Sequence, residues 1–502
     1  MTAYRAGSGV RRFTYNEYRE QVESFAVALR RLGVTPGDVV AIHLPNWWQV
    51  NALVLACARL GAIVAPIGTP IRNRELELML ARLDAVVCVT VDQWGNFDHS
   101  AALAEMAPRL SALRHRVVLG ERVNADEIDL TRIAGEARSD PIGDSAEDPD
   151  RVSVVMFTSG TSGAPKAALH TFNTFYAGCA TRAADTGFTS ADVVFTPNAL
   201  THAVGQTFVN LIPLYVGGQG FVCDTADPDA IVDLMTAYGV TTLAGAPVFL
   251  ASIAEAAGRS AQRPAALKRV MAGASMIPAA LVDLVADRFG LALLGGWGMT
   301  EVIGTTMTSP ADPPDWALHS VGRPHAALET GLRGDGGAEI SAGNPARLFV
   351  RGASVCLATT GRDGGEPYVL ADHDDGWYDT RDLAVPDGRG GIRLVGRTAD
   401  RIGGVLMIPA ADVENALRTH PDVTDVALVG YGENQELACA VVIAAAPVTL
   451  EGLRSFLTGL GMTGWYQPTR LEVVPALPRN ATGKVRKELL RRWLRGETEL
   501  PS

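Results

Sequence analysis

The chain has 502 residues, 47% hydrophobic and 20% charged, enough for one large multilayer domain or several smaller ones and unlike disordered or fibrous chains. With 44 basic against 55 acidic side chains, its net charge of −11 supplies no broad positive field, which argues against nucleic-acid and anionic-membrane partners. No run reaches the roughly 18 apolar residues of a membrane span, and the opening MTAYRAGSGVRRF lacks a signal-peptide core, so the expected compartment is the cytoplasm.

In chain order, FTYNEYREQVESFAVALRRLG sets Tyr18, Val22, Phe25, Ala26, Leu29 and Leu32 on one helical stripe. Thr14 and Glu17 are spaced as a capping box, with Gly33 as the stop. DVVAIHLP then reads as a buried strand, VNALVLACARLGA as a helix and AVVCVTVD as a strand. The alternation continues through RVSVVMF, a Gly-rich loop, a helix from about His170, ADVVFTP, PDAIVDLMTAYG, VTTLAGAP, LKRVMAGAS and a helix after Pro278. Such alternation predicts α/β architecture: a large multilayer N-terminal domain of mostly parallel sheets under helices. Around residues 310–395, Gly, Asp, Pro and short strands such as ARLFVRG predict a β-rich part made of hairpins. Beyond a boundary near Asp400, AADVENALRTH, VTDVALVG, ELACAVVIA, LEGLRSFLTGL and a basic last helix form a smaller α/β unit. The expected domains are therefore 1–399 and 400–502.

Six cysteines, Cys57, Cys88, Cys179, Cys223, Cys356 and Cys439, have neither C-x-x-C nor zinc-site spacing, so buried reduced thiols are expected. Lysine occurs only at Lys166, Lys268, Lys484 and Lys487. Where it survives amid arginine, a compact ammonium has a reason to be there.

In FTSGTSGAPKAALH, residues 157–170, repeated glycine lets backbone N–H groups turn inward, hydroxyls add donors and Lys166 adds a cation, a cradle suited to phosphate oxygens. A plain strand-to-helix turn is the blander alternative. The Walker pattern is absent, since Pro165 and Ala167 flank the lysine, and no G-x-G-x-x-G follows the strand.

This loop is followed in order by GGWGMTE (295–301), GWYDTRDL (376–383), GRTADRI (396–402) and PRNATGKVRK (478–487). The series resembles the adenylate-forming superfamily of acyl-CoA synthetases, luciferases and peptide-synthetase adenylation domains. The resemblance spans nearly the whole chain. LPNWWQVNALVLACARLGAIVAPIGTPIRNRELELML and GMTGWYQPTRLEVVPALPRNATGK are most similar to the cyclohexanecarboxylate and aromatic acid–CoA ligase branch.

The resemblance implies attack of a carboxylate on the α-phosphorus of ATP with loss of pyrophosphate, a reaction run by positioning and charge compensation. It assigns Thr158, Ser159, Gly160, Thr161, Ser162, Gly163 and Lys166 to the β- and γ-phosphates, Thr300 to the α-phosphate and Glu301 to Mg²⁺. Gly273, Ala274 and Ser275 match one wall of the adenine pocket; Gly296, Trp297 and Gly298 match the other, with the indole beside adenine. Asp382 and Arg397 match the ribose partners, Lys484 the mobile catalytic lysine, and Asp400 the hinge on which the small domain turns. His202, Gly245, Ala246 and Pro247 match the acid pocket. Read singly, Thr300–Glu301 is a helix cap, Trp297 a core residue, His202 a structural histidine, and Asp382 and Arg397 surface charges; the ordered motifs lift them above that.

Four departures stand out. Arg381 replaces the glycine of the usual T-G-D, Ala167 replaces the glycine after Lys166, Gly403 and Gly404 follow the hinge motif two residues early, and GYGENQELACAVV is short. The early glycines shorten a loop at the thioester-forming face, which weakens the expectation of CoA. The chain is expected to bind ATP, Mg²⁺ and a small acid and to pass the activated group to CoA. The alternative acceptor is an amine, including nitrite activation for diazotisation in secondary metabolism. A nucleotide-binding pseudoenzyme is the reading from another class. A homodimer is compatible with the chain.

Overall fold

The computed structural model describes residues 1–137, 148–158, 166–260, 263–274, 277–334, 339–341, 345–360, 366–397, 402, 408, 410–432, 435–478 and 485–500, without the side chains of 158, 305, 395–397, 411 and 412. Of the site residues expected from the sequence, Ser159, Gly160, Thr161, Ser162, Gly163, Ser275, Asp400 and Lys484 lie outside them, as do Gly403 and Gly404.

Two nine-stranded sheets dominate the chain. In the first, Leu293–Met299, Arg269–Ala272, Thr242–Gly245, Val193–Phe195, Gln219–Cys223 and Thr2–Arg5 run parallel in that spatial order. Antiparallel strands close both edges. The second sheet has a parallel centre of Val152–Thr158, Ile63–Pro66, Val39–His43, Val87–Val91 and His115–Leu119. The first helix, Tyr15–Arg31, begins at the expected capping box: the Thr14 hydroxyl accepts from Glu17 N, and the Glu17 carboxylate accepts from Thr14 N. Its buried Tyr18, Phe25 and Leu29 share an apolar core with Val40, Ile42 and Leu53. The β-rich part is a four-stranded antiparallel sheet of Glu329–Arg333, Ala346–Arg351, Tyr378–Pro386 and Ile392–Arg397. Near the C-terminus, helices Ala410–Arg418, Leu450–Gly459 and Lys487–Leu494 accompany a three-stranded sheet, Val423–Tyr431, Leu437–Ala444 and Arg470–Val473. All six cysteines are buried and unpaired. Among the described residues no helix is long and apolar enough to cross a membrane.

The structure corrects the surroundings of the Gly-rich loop. The helix expected from about His170 is present as Phe172–Thr186, but the stretch before it, Lys166–Thr171, is a strand antiparallel to Val152–Thr158. The apolar residues Ala167, Ala168 and Leu169 extend the sheet, and Thr171 then caps the helix by accepting from Thr174 N. The segment between Thr158 and Lys166 thus connects two antiparallel strands and does not lead directly into a helix.

Candidate active site

Parallel strands present their C-terminal ends on one side, where ligands of open α/β sheets bind. Three neighbouring strands place the expected pocket residues together there. Gly245 pairs with Ala272, Ala272 with Gly295, and a Cβ on Gly273 would lie 3.1 Å from the Gly296 carbonyl oxygen. Gly273 N donates to Gly245 O across 3.3 Å. Ala274 turns the chain with φ of +72°, a conformation that costs an L-residue about 1–2 kcal/mol. Beside them, Asn198 Oδ1 accepts from Ala246 N at 3.2 Å, while Asn46 Nδ2 donates to Asn198 O at 3.1 Å. Pro247 opens the helix Pro247–Arg259 at the first-turn position that suits proline. His202 precedes the short helix Ala203–Gly205, its Nδ1 accepting from Val204 N at 3.3 Å, and a π-helical turn, Gln206–Leu211, follows.

Thr300 and Glu301 are not a helix cap. They form the two-residue tip of a hairpin, since Met299 pairs with Val302. Two contacts that sequence reasoning missed hold this tip. His170 Nε2 lies 2.8 Å from Thr300 O, and its Nδ1 lies 3.0 Å from Thr174 Oγ1. Burial lowers the His170 pKa to about 4, so the ring is neutral, and the carbonyl fixes the proton on Nε2. Tyr378 Oη donates to Glu301 Oε1 at 3.1 Å, and Cys356 N donates to Glu301 O at 2.9 Å. Burial, then the Glu301 charge, pushes the Tyr378 phenol well up, so it remains a donor. Both residues lie inside motifs already quoted, FTSGTSGAPKAALH and GWYDTRDL; a polar residue at an inward strand position was the available signal.

Trp297 is buried at 7% exposure against Ala168, Val302, Leu348 and Val350, and its indole N–H donates to Asp382 Oδ2 at 2.9 Å. Asp382 is itself buried, and its N–H donates to Thr380 Oγ1 at 3.1 Å. Arg397 sits opposite Asp382 in the antiparallel ladder. Lys166 opens its strand half-buried, and the next residue, Ala167, receives Thr360 N on its carbonyl at 2.8 Å and donates its own N–H to Thr360 Oγ1 at 2.9 Å. The structure therefore gathers the Thr300–Glu301 tip, Trp297, Asp382, Arg397 and the strand of Lys166 around one end of the molecule, with Gly245, Ala246 and Gly273 at adjoining strand ends. For a cation, Glu301 and Thr300 offer oxygen donors. No group of three or more His, Cys, Asp or Glu ligands occurs among the described residues. One carboxylate beside substrate phosphates fits Mg²⁺, which rarely uses a dedicated protein cage.

Arg381 adopts φ of +61°, the left-handed geometry for which glycine is the ordinary residue, and its N–H donates to Asp379 Oδ1 at 2.9 Å. Strain is thus stored one residue before Asp382. Replacing Arg381 by Gly is expected to raise unfolding free energy by up to about 1 kcal/mol, the relieved strain less the greater freedom of glycine in the unfolded chain. Urea titration checks it; a loss of stability would mean that the arginine's own contacts outweigh its backbone cost.

The buried histidines predict acid lability. His170 and His99 are held to about 4 and His43 to about 3, in each case chiefly by burial. An unfolded histidine titrates near 6.5, so below that pH the unfolded chain binds the proton that the folded chain refuses. Stability is full above about pH 6.5 and falls as pH drops toward 4, by roughly 2 kcal/mol at pH 5 for His170 alone. Melting of wild type and His170→Gln across this window tests it. The glutamine keeps a donor for Thr300 O and should flatten the slope; an equal slope in both proteins would contradict the assignment.

The sequence also matches a known family over this same arrangement. The AMP-binding enzyme family matches residues 1–358, and the AMP-binding enzyme C-terminal domain matches residues 412–484. The chain belongs to the AMP-binding enzyme family. Among relatives of this AMP-binding enzyme, a feruloyl-CoA synthase of Amycolatopsis sp is 30% identical, covering 98% of this chain and 95% of its own. A salicylyl-CoA synthase / salicylate adenylyltransferase of Streptomyces sp is 29% identical over 98% and 91%. Of solved structures, the amide bond synthetase McbA from Marinactinospora thermotolerans superposes with a TM-score of 0.82 at 26% identity, covering 98% of this chain and 97% of that one. The o-succinylbenzoate CoA synthetase of Bacillus subtilis, at 21% identity and a TM-score of 0.81 over 98% and 95%, shares the fold.

Proposed function

We propose that this AMP-binding enzyme activates a small acid with ATP, releasing pyrophosphate, and transfers the activated group to CoA. The observation that carries the reading is the convergence of Trp297, Asp382 and the Thr300–Glu301 tip around one site, within a chain whose relatives include CoA synthases over nearly its full length. Trp297 fixes Asp382, whose carboxylate then accepts the ribose hydroxyls with Arg397 opposite. His170 and Tyr378 fix the tip, so that Thr300 donates to the α-phosphate and Glu301 holds Mg²⁺. When bound, Mg²⁺ neutralises phosphate charge. Thr158, Ser159, Gly160, Thr161, Ser162, Gly163 and Lys166 grip the leaving pyrophosphate, and Lys484 compensates charge between the attacking oxygen and the α-phosphate. Such aimed donors act strongly because they need no reorganisation as charge develops. Ser275 belongs with Gly273 and Ala274 in the adenine wall; His202, Gly245, Ala246 and Pro247 face the acid. Residues 400–502 form the mobile unit hinged at Asp400, and the cytoplasm is the proposed compartment.

A second reading is favoured by one observation: the amide bond synthetase superposes over 98% of the chain. In that case the acceptor is an amine, and the acid includes nitrite. AMP and pyrophosphate release with a panel of acids and nitrite, followed by addition of CoA or amines and mass spectrometry, tests both readings. A thioester establishes the first and an amide or diazo product the second. No AMP from any acid overturns both and leaves a nucleotide-binding pseudoenzyme.

A further inference from the structure

The helix Phe172–Thr186 carries a guanidinium that nothing so far explains. Arg182 is 3% exposed, and among the described residues its side chain has neither a hydrogen-bond acceptor nor a carboxylate within ion-pair distance. Arg269, close to the end of the same helix, shows how this protein ordinarily treats such a group. It donates to the Thr186 and Gly187 carbonyls, Thr242 Oγ1 and Asp192 Oδ1 at 2.7–3.1 Å. Burial lowers the Arg182 pKa to about 10, which still leaves the group cationic at neutral pH.

Its neighbours form no ion pair with it; only the more distant Asp185 carboxylate favours the cation. Cys179 lies one turn earlier, and burial pushes its thiol up to about 12, so it is neutral. Burial, with the Arg182 charge adding to it, lowers His325 to about 3. The lone pair on His325 Nδ1 is taken by Ala327 N at 3.1 Å, while Nε2 shares a proton with Ser354 Oγ at 3.3 Å. Asp185 is exposed and too far away for an ion pair. Burying an ion with no partner costs far more than one hydrogen bond returns, so stability alone does not account for a cation at this position.

Its place in the fold indicates what does. The helix runs beside the strand Val302–Met307, away from the Thr300–Glu301 tip: Thr174 bonds the histidine that holds Thr300, and Gly178 abuts Ile303. Arg182 is one turn further on the same face, about 12 Å along the axis from Thr174. The helix also packs against the π-helical turn Gln206–Leu211, which follows His202 of the proposed acid pocket. We propose that Arg182 forms the floor of the acid pocket and binds a planar oxyanion, the second carboxylate of a diacid whose other carboxylate reacts with ATP. A guanidinium fork suits that shape, and the separation fits an aryl or short alkyl diacid. The word substrate here rests on the adenylation reading; the anion site does not.

Full-length wild type, Arg182→Met and Arg182→Lys are melted with phthalate, succinate, benzoate, acetate and nitrite against chloride at equal ionic strength. The expected result is a wild-type shift with the diacids, abolished in R182M and reduced in R182K, with ligand-free R182M melting no lower than wild type. AMP formation should lose at least about 100-fold in kcat/KM for the best diacid in R182M, and less than about 3-fold for a monoacid. Arg182-dependent shifts with nitrite or acetate but no diacid assign the site to a free small oxyanion. If no acid yields AMP, the adenylation reading fails while the melts still judge the anion site. No Arg182-dependent shift with any of these anions, or an R182M protein that melts lower with its diacid preference intact, overturns the proposal.

Discussion

Lys484→Ala is expected to slow acid-dependent ATP–pyrophosphate exchange by about 100-fold or more, roughly 3 kcal/mol of transition-state stabilisation. The lysine lies outside the described residues, but the chain on either side of it is anchored. Leu477 and Leu490 share one buried cluster with Val485 packed against it, Arg486 N donates to Pro478 O at 2.8 Å, and Lys487 pairs with Glu414 at 2.8 Å. The melting temperature should therefore stay within the error of wild type while exchange collapses. Exchange within a few-fold of wild type would remove Lys484 from the chemistry.

The second large effect is expected at Gly304, three residues beyond Glu301. Its φ is +62°, and a Cβ there would sit 2.7 Å from Gly178 O and 3.0 Å from Gly178 Cα, all backbone atoms. From the other side, a Cβ on Gly178 would lie 2.8 Å from the Ile303 carbonyl carbon. Helix Phe172–Thr186 and strand Val302–Met307 thus approach through two glycines, leaving room for nothing larger. Gly304→Ala adds left-handed strain of about 1–2 kcal/mol to overpacking of about 1–3 kcal/mol. The sum, roughly 2–5 kcal/mol, is a large share of a typical folding free energy. It should also move the Thr300–Glu301 tip, so that AMP formation falls even below the variant's melting temperature. Denaturant unfolding and rate measurement check the two parts separately; wild-type stability would mean that the helix and strand can separate at little cost.

What the sequence disclosed depended on how local the signal was. The Thr14–Glu17 box, the β/α alternation and the hairpin-rich part around residues 310–395 are short-range patterns, and each has its counterpart in the folded chain. The strand Lys166–Thr171 is not legible because a small, apolar run after a Gly-rich loop suits either element, and only pairing with Val152–Thr158 decides it. Thr300–Glu301 resembled a cap because the turn of a hairpin is set by a partner strand that lies ahead in the sequence. The strained Arg381 was legible as a departure from T-G-D, and its positive φ is the backbone that the glycine would have adopted. Trp297 was expected beside adenine; its bond to Asp382 joins residues 85 positions apart and has no local trace. Arg182 had none either, since nothing in its neighbours announces that a cation will be buried.

The central claim is that an acid oxygen attacks the α-phosphorus of ATP. Incubation of the enzyme with ATP, Mg²⁺ and an acid labelled with ¹⁸O in its carboxylate, followed by mass spectrometry of the nucleotide after transfer or hydrolysis, tests it directly. The account predicts AMP carrying one ¹⁸O, with pyrophosphate unlabelled. ADP and phosphate, or AMP whose only new oxygen comes from water, would contradict it.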